Sequence, residues 1–490
     1  MNKRGLILDF FSGGGGATQG VCNAVGISGA HVDIAVNHDE AAIIMHQANH
    51  PQTEHYLQSV FDIDPRKLVD GSLKTDKLVD NTFIELAWAS PDCTHFSKAS
   101  SNRKRKDSKI RGLAWSVVKL AALPAAQRPR TIILENVEEF VTWGPLDEDG
   151  NPIENQKGVI FKSFIRSLEA FGYKIKWGTL KASDFGAPTS RERFFLIARC
   201  DGNPIVWPSP THGPIDSPDV INGFLQPYQS AGSIIDWSLP SKPVFERDKP
   251  LAPNTINRIV NGIRKFVVND EVYFVPNSNG TQCGFIVTYY TETKVGEARG
   301  QTLHQPLATI TAKGGRFALC TLDLVATDLQ AEDMDSATKH GSYGFKEIDG
   351  IVYSLENPQL RMLSPQELYR AQGFPDNYII DGKMTLQEVS KRGVAEKVFI
   401  REKVQKIRKQ RMANGIDSSA EELMQLDLFT LAEDIFVAER KPAGKRYSYS
   451  KKEQIGRVGN AVVPQVAEAL VRANLPYLCD DTEVAKEKVI

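Results

Sequence analysis

An α/β architecture in two parts is what this sequence predicts: a mostly parallel sheet with covering helices over residues 1–200, then a smaller β-rich part over 201–355. Two observations carry the prediction. Short, mainly apolar runs alternate with segments of helical period across the first 200 residues. Beyond residue 200, proline and glycine become frequent and the apolar runs grow short and irregular. Strands separated by helices need crossover connections, which make neighbouring strands parallel.

Four apolar runs read as buried strands: 6–11, 83–89, 131–134 and 194–198. Val159, Ile160, Phe164, Leu168 and Phe171 recur at helical spacing, and Gly172 supplies a C-terminal stop. Alternation of Tyr173, Ile175 and Trp177 reads as a further strand. In the second part, 272–275 and 285–290 are β-like. A segment over 356–378 follows, with a helix opened by Ser364-Pro365-Gln366-Glu367, a capping box with proline at the first helical position, and closed by Gly373. Residues 379–452 form an insertion whose stretch 391–412 is strongly basic and reads as a helix, either a solvated face or a phosphate-contacting one. Residues 453–480 return to complete the first part.

Composition narrows the function. The 490 residues are 41% hydrophobic and 24% charged, as in a globular protein of two or more domains. No apolar run is long enough for a membrane span, and the first apolar run is too short for a secretory signal, so a cytoplasmic protein is expected. The six cysteines are scattered without any C-x-x-C pair, which argues against a zinc site or a disulfide framework. A net charge of −1 does not announce a nucleic-acid binder, so any basic face must be local.

Groups that do chemistry on an open parallel sheet gather beyond the carboxyl ends of its strands. After the first strand comes Asp9-Phe10-Phe11-Ser12-Gly13-Gly14-Gly15-Gly16, whose glycines permit a sharp turn close to a ligand or simply a flexible one. Thr18 and Gln19 stand where a dinucleotide fingerprint needs its third glycine, which disfavours a nicotinamide enzyme. After the second strand comes Ser90-Pro91-Asp92-Cys93-Thr94-His95-Phe96-Ser97. Cys93 is well placed to react, although alone it reads better as a structural cysteine. Glu135-Asn136-Val137 follows the third strand, and a partly buried acid there suits a proton donor as well as it suits a helix start. In Pro188-Thr189-Ser190-Arg191-Glu192-Arg193, two arginines two residues apart face one way when extended, and serve one anion or form an ordinary surface pair.

In order, these segments resemble the motifs of the DNA (cytosine-5)-methyltransferase family of bacterial or phage type. The run from Asp9 to Gly20 resembles its first motif, 90–97 its nucleophile loop, Glu135-Asn136-Val137 its Glu-Asn-Val motif, and Arg191 with Arg193 its paired arginines. Arg361-Met362-Leu363-Ser364 through Gly373-Phe374-Pro375 resembles its ninth motif, and Gly459-Asn460-Ala461-Val462-Val463-Pro464 its last. The resemblance implies a Rossmann-like S-adenosylmethionine methyltransferase domain with a β-rich target-recognition domain. It implies S-adenosylmethionine as donor, S-adenosylhomocysteine as product, no metal, and double-stranded DNA as partner of a monomer. A cognate restriction endonuclease is a compatible partner.

Roles implied by the resemblance are nucleophilic attack by Cys93 on C6 of a flipped-out cytosine, proton donation from Glu135 to N3, and charge stabilisation by Arg191 and Arg193. Asp9, Phe11, Gly13, Gly15, Asn37, Ser59 and Asn460 are the implied cofactor contacts. Pro91, Asn136, Thr309 and Arg316 are the implied substrate contacts, with 309–311, Lys313 and Arg316 as a base- or phosphate-contacting segment, although a simple strand of the small domain is the better reading of 309–311. The chain departs from the family in several places. Asn37 and Ser59 replace two acids of the cofactor pocket, for which Asp39 and Asp62 are the nearby substitutes. Asp92, Thr94 and His95 replace residues common beside the nucleophile, Thr189 replaces a glutamine and Val463 a proline. The competing readings are a cytosine-5 tRNA methyltransferase and a non-catalytic DNA-binding relative.

Overall fold

The computed structural model describes residues 4–25, 30–66, 83–93, 96, 111–276, 278–289, 299–312, 316–334, 341–380 and 449–479. Thr94, His95, Lys313 and the basic stretch 391–412 lie outside the described residues. Among the described residues no helix is long and apolar enough to cross a membrane.

Seven strands form the first sheet: β1 (Leu6–Phe10), β2 (Ile34–Asn37), β3 (Glu54–Leu57), β4 (Ile84–Ala89), β5 (Thr131–Asn136), β6 (Lys174–Lys181) and β7 (Glu192–Arg199), in the order β3-β2-β1-β4-β5-β7-β6. The pairs from β3 to β5 are parallel, and β7 runs antiparallel between β5 and β6. Every residue of β1, β4 and β5 is buried, as expected of strands covered on both faces. Neighbouring side chains divide between two cores. Leu8, Leu134, Phe194 and Leu196 face one way and meet Trp115 and Phe164 from α3 (Trp115–Ala121) and α4 (Val159–Ala170). Ile7, Trp88, Ile133, Phe195 and Ile197 face the other way and meet α1 (Gly16–Val25) and α8 (Pro464–Asn474). The last described helix therefore packs on the first. A Cβ added at Gly16 would lie 2.2 Å from Val462 O, and one at Gly20 would lie 2.3 Å from Pro464 O. Gly16→Ala should thus cost about 1–3 kcal/mol through overpacking against backbone that cannot rotate away; a thermal melt unchanged from the parent would contradict this contact.

The second sheet is antiparallel, ordered β10 (Lys242–Pro243), β15 (Ile351–Met362), β13 (Phe317–Ala326), β11 (Gln282–Thr288), β12 (Gly300–Gln301), with β14 (Phe345–Ile348) on β15. Between the sheets lies a two-stranded parallel ladder, β8 (His212–Gly213) and β9 (Gln226–Pro227). The helix α5 (Pro253–Ile263) covers the second sheet through Ile259 and Ile263. A third apolar cluster joins the two parts. It gathers Met45 from α2 (Glu40–Asn49), Leu319, Leu363, Tyr369 from α6 (Pro365–Ala371), and Val458 from α7 (Lys451–Asn460).

Several expectations need correction. Phe11 lies outside β1, because its φ of 63° takes the chain out of the extended region. The run 272–275 contributes a single bridge, Phe274 to Cys283, rather than a strand, since Phe274 faces solvent instead of a core. The 356–378 segment begins as sheet: β15 continues to Met362, and α6 starts at Pro365 behind the expected capping box on Ser364 and Glu367. Residues 309–311 carry no strand; Ile310 is buried in the joining cluster instead.

Candidate active site

Register brings the chemistry together. Ala89 of β4 pairs with Leu134 of β5, so both strands end at one edge of the sheet. Cys93 stands four residues beyond that pair and Glu135 one residue beyond it. Facing them, β7 runs back past Glu135 through the Glu135–Phe195 pairing, which brings Arg193 alongside. Arg193 Nε lies 3.5 Å from Glu135 Oε1.

Glu135 and Arg191 are buried in this corner, and Cys93 and Arg193 are half-buried. Burial, together with the Glu135 carboxyl beside it, pushes the Cys93 thiol up to about 11. The free protein therefore holds a thiol at neutral pH, not a thiolate. Burial also raises Glu135 above the usual carboxylate range, although Arg191 and Arg193 pull the other way. Burial next to Arg193 brings the Arg191 guanidinium down to about 9, still cationic at neutral pH.

Arg191 is engaged by backbone carbonyls. Its Nη1 donates to Gly459 O at 3.0 Å and to Ile310 O at 3.3 Å, which ties β7 to α7 and to the small domain. Thr189, standing where the family has glutamine, donates to Leu307 O at 2.9 Å and reinforces that tie. Asn136 donates from Nδ2 to Pro91 O at 3.2 Å and accepts from the Val137 amide at 2.9 Å. Asn136 thus holds the segment that carries Pro91 and Cys93 against β5. Phe96 donates its amide to Cys93 O at 2.9 Å, and its buried ring packs edge-on against Phe140 and Trp143. Sequence reasoning missed Phe96 as an anchor, because its partners lie more than 40 residues away.

The turn after β1 fits a cofactor. Phe11, Gly13 and Gly15 take left-handed φ values of 63°, 52° and 93°. A Cβ at Gly13 would meet nothing closer than Phe11 O at 3.8 Å, so the space beside it is open. Asp9 Oδ1 and Ser12 Oγ are buried without a hydrogen-bond partner. Asp9 Oδ2 accepts from Thr18 Oγ1 at 2.7 Å, and burial pushes this carboxyl up to about 7. Open space beside Gly13 at the carboxyl end of a central parallel strand suits a ligand, whereas Gly15 packs against Tyr378 and His50 and gives the turn its backing.

Asn37 is the last residue of β2, and Ser59 follows β3 by two residues. Asn37 Oδ1 accepts from the Asp39 amide at 2.9 Å, and Ser59 Oγ accepts from the Phe61 amide at 3.3 Å. Asp39 is committed elsewhere: it caps α2 through the Ala42 amide, and its carboxylate oxygens lie 3.2 Å from the Arg457 guanidinium. Burial alone would raise its pKa, but Arg457 more than offsets this and holds the carboxyl below the usual range. Asn460 is the exposed last residue of α7. Thr309 is half-buried. Arg316 donates to Tyr289 O at 3.2 Å, across the end of the β11–β13 pair. Among the described residues no group of three His, Cys, Asp or Glu side chains is placed to hold a metal ion.

Comparison with known proteins agrees with this geometry. Residues 6–409 match the family model described as C-5 cytosine-specific DNA methylase. The type II methyltransferase M.AquIA of a Picosynechococcus species is 26% identical over 240 residues, which is 48% of this chain and 90% of that protein. The type II methyltransferase M.AgeI of Thalassovita gelatinovora is 27% identical over 205 residues, 42% of each chain. For chicken DNA (cytosine-5)-methyltransferase 1 the identity is 29% over 213 residues, 12% of its length. Apart from M.AquIA, then, the chain spans less than half of these relatives. The solved methyltransferase EhMeth of Entamoeba histolytica aligns over 98% of this chain and all of its own, with 14% identity and a TM-score of 0.43, too low to carry an argument. The family model covers most of the chain, and the chain belongs to the C-5 cytosine-specific DNA methylase family.

Proposed function

We propose that the protein methylates C5 of a cytosine flipped out of double-stranded DNA, with S-adenosylmethionine as donor. One observation carries this reading: a cysteine and a carboxyl end adjacent parallel strands at one edge, with a guanidinium 3.5 Å from the carboxyl. Cys93 adds its sulfur to C6 of the ring, and Glu135 shares its proton with N3, so that electron density gathers at C5. Arg193, against Glu135, holds that carboxyl in place and offsets charge near the ring carbonyl. Arg191 fixes the strand on which Arg193 stands. Bound in the turn 11–15, S-adenosylmethionine supplies an electrophilic methyl group. Phe11, Gly13 and Gly15 form its bed, and Asn37 and Ser59 offer neutral hydrogen bonds where the family has acids. Once C5 carries the methyl group, with the donor's sulfur departing as S-adenosylhomocysteine, the C5 proton would pass to water, the C6–S bond would break, and the freed Cys93 sulfur would take back a proton from solvent.

The target base must leave the stack to reach this buried corner. The second sheet, tied to the arginine strand through Leu307 and Ile310, is the target-recognition domain in this reading, with Thr309 and Arg316 on its flank. The relatives named type II methyltransferases support a protecting role beside a restriction endonuclease in a bacterial or phage-infected cell. Methyl incorporation compared on duplex DNA and total tRNA tests the substrate, and label confined to tRNA would reject DNA. Bisulfite sequencing of plasmid DNA from expressing cells reads the site.

The buried thiol makes a separate prediction. Alkylation of Cys93 by iodoacetamide should stay slow at pH 7 and rise steeply only above pH 9, toward the raised value of about 11. Mass spectrometry of the Cys93 peptide across pH measures this, and a midpoint at or below that of a free thiol would contradict it.

A further inference from the structure

Behind the cofactor turn runs a line of buried polar groups that the methylation chemistry leaves unused. Thr18 Oγ1 donates to Asp9 Oδ2 at 2.7 Å. His46 Nε2 lies 2.9 Å from Thr18 Oγ1, and His46 Nδ1 lies 2.8 Å from His55 Nε2. All four side chains are buried. The line crosses from β3 through α2 and α1 to the end of β1, four secondary elements joined by three hydrogen bonds.

Proton counting fixes its direction. With Asp9 ionised, the one hydroxyl proton of Thr18 goes to Asp9, so the Thr18 oxygen accepts from His46 Nε2–H. A neutral His46 protonated at Nε2 can only accept at Nδ1, which takes the Nε2 proton of His55. Burial holds His46 well below its ordinary range, with His50 and His55 adding to the effect, and burial pushes His55 down to about 4. Both rings are therefore neutral at physiological pH. The bonds all point toward the carboxylate.

This line ends where the backbone is under strain. Between Asp9 and Thr18 the chain passes through the positive φ values of Phe11, Gly13 and Gly15. A non-glycine residue in that region persists only where its surroundings over-determine it. The Asp9–Thr18 bond spans the turn like a clasp, from the end of the strand to the first turn of α1. A second strut comes from Tyr378, whose hydroxyl donates to Gly14 O and lies 3.3 Å from His50 Nε2.

We propose that His46 is a positioning residue for the cofactor: by holding Thr18 it keeps the Asp9–Thr18 clasp closed, and so sets the affinity of the turn 11–15 for S-adenosylmethionine. This rests on the reading of that turn as the donor site. His46 touches neither donor nor substrate, and it acts on binding rather than on the chemical step.

The test uses the full chain with His46→Phe, which removes the donor, and His46→Gln, whose amide can still donate to Thr18. Loss of one buried hydrogen bond should raise KM for S-adenosylmethionine and Kd for S-adenosylhomocysteine about fivefold in His46→Phe. The value of kcat at saturating donor should stay within about twofold, and His46→Gln should recover most of the affinity. A purely structural histidine would lower Tm in His46→Phe and leave Kd unchanged, which overturns the proposal. Should His46→Phe fail to fold, Thr18→Val cuts the same line at its next link. The same rise in Kd is expected there, and an unchanged Kd overturns the proposal. A wild-type protein that binds neither nucleoside fails the donor-site reading itself; binding by the wild type with no difference among the variants fails only the role of His46.

Discussion

Cys93→Ser should abolish methyl transfer, with the rate falling by about 10³-fold or more, because a hydroxyl in this corner is far less nucleophilic than sulfur. Ionisation of the attacking atom is opposed by burial, Glu135 and Asp92 and, among the described residues, favoured by Arg193 and Arg191, so a less acidic serine hydroxyl stays protonated there. DNA binding should survive, because nothing that would grip the duplex has changed. The decisive measurement is trapping on an oligonucleotide carrying 5-fluorocytosine. The parent should form a complex stable to denaturing gel electrophoresis, and Cys93→Ser should form none. A covalent complex from the serine variant would transfer the nucleophile's role to another residue.

Glu135→Gln should lower kcat by about 10²–10⁴-fold, the range expected for losing a positioned proton donor. The same substitution should speed alkylation of Cys93. The carboxylate raises the thiol pKa, so an uncharged amide lets it fall and increases the thiolate fraction. Opposite signs in the two assays distinguish loss of proton transfer from collapse of the site. A folded-state pKa raised above the ordinary carboxyl value also predicts a limb in the pH profile. Activity that requires protonated Glu135 declines as pH rises through that pKa, and in Glu135→Gln this limb should vanish. Slower alkylation together with slower methylation would mean that the corner has simply come apart.

Much of this corner was legible before any coordinates. Strands β4, β5 and β7 are largely buried on both faces, so they appear in the sequence as mainly apolar runs, and polar residues mark where they end. The short strands β2 and β3 gave no such signal. Four residues are too few to show a period, and β3 reads Glu54-His55-Tyr56-Leu57, whose apolar and polar groups are buried by packing rather than by composition. The error at 272–275 has the opposite cause: β-branched and aromatic residues suggest a strand, but Phe274 lies against solvent. The line from His55 to Asp9 was invisible for a different reason. Its members are separated by nine and 28 residues along the chain, and only the fold makes them neighbours. Asp39 illustrates the limit for the pocket. In the sequence it is a nearby acid able to replace a missing one, whereas in space Arg457 and the start of α2 have already taken it.

The seating of α8 on α1 has a consequence for biosynthesis. The glycine turn leaves the ribosome long before the backbone of Val462 and Pro464 that presses on Gly16 and Gly20. Nascent chains fold as segments become available. The donor cradle of a growing polypeptide therefore stays unbacked until the two sheets and the stretch between them have been made, and a product cut short by premature termination would carry every reactive group yet lack the buttress that keeps its cradle in shape.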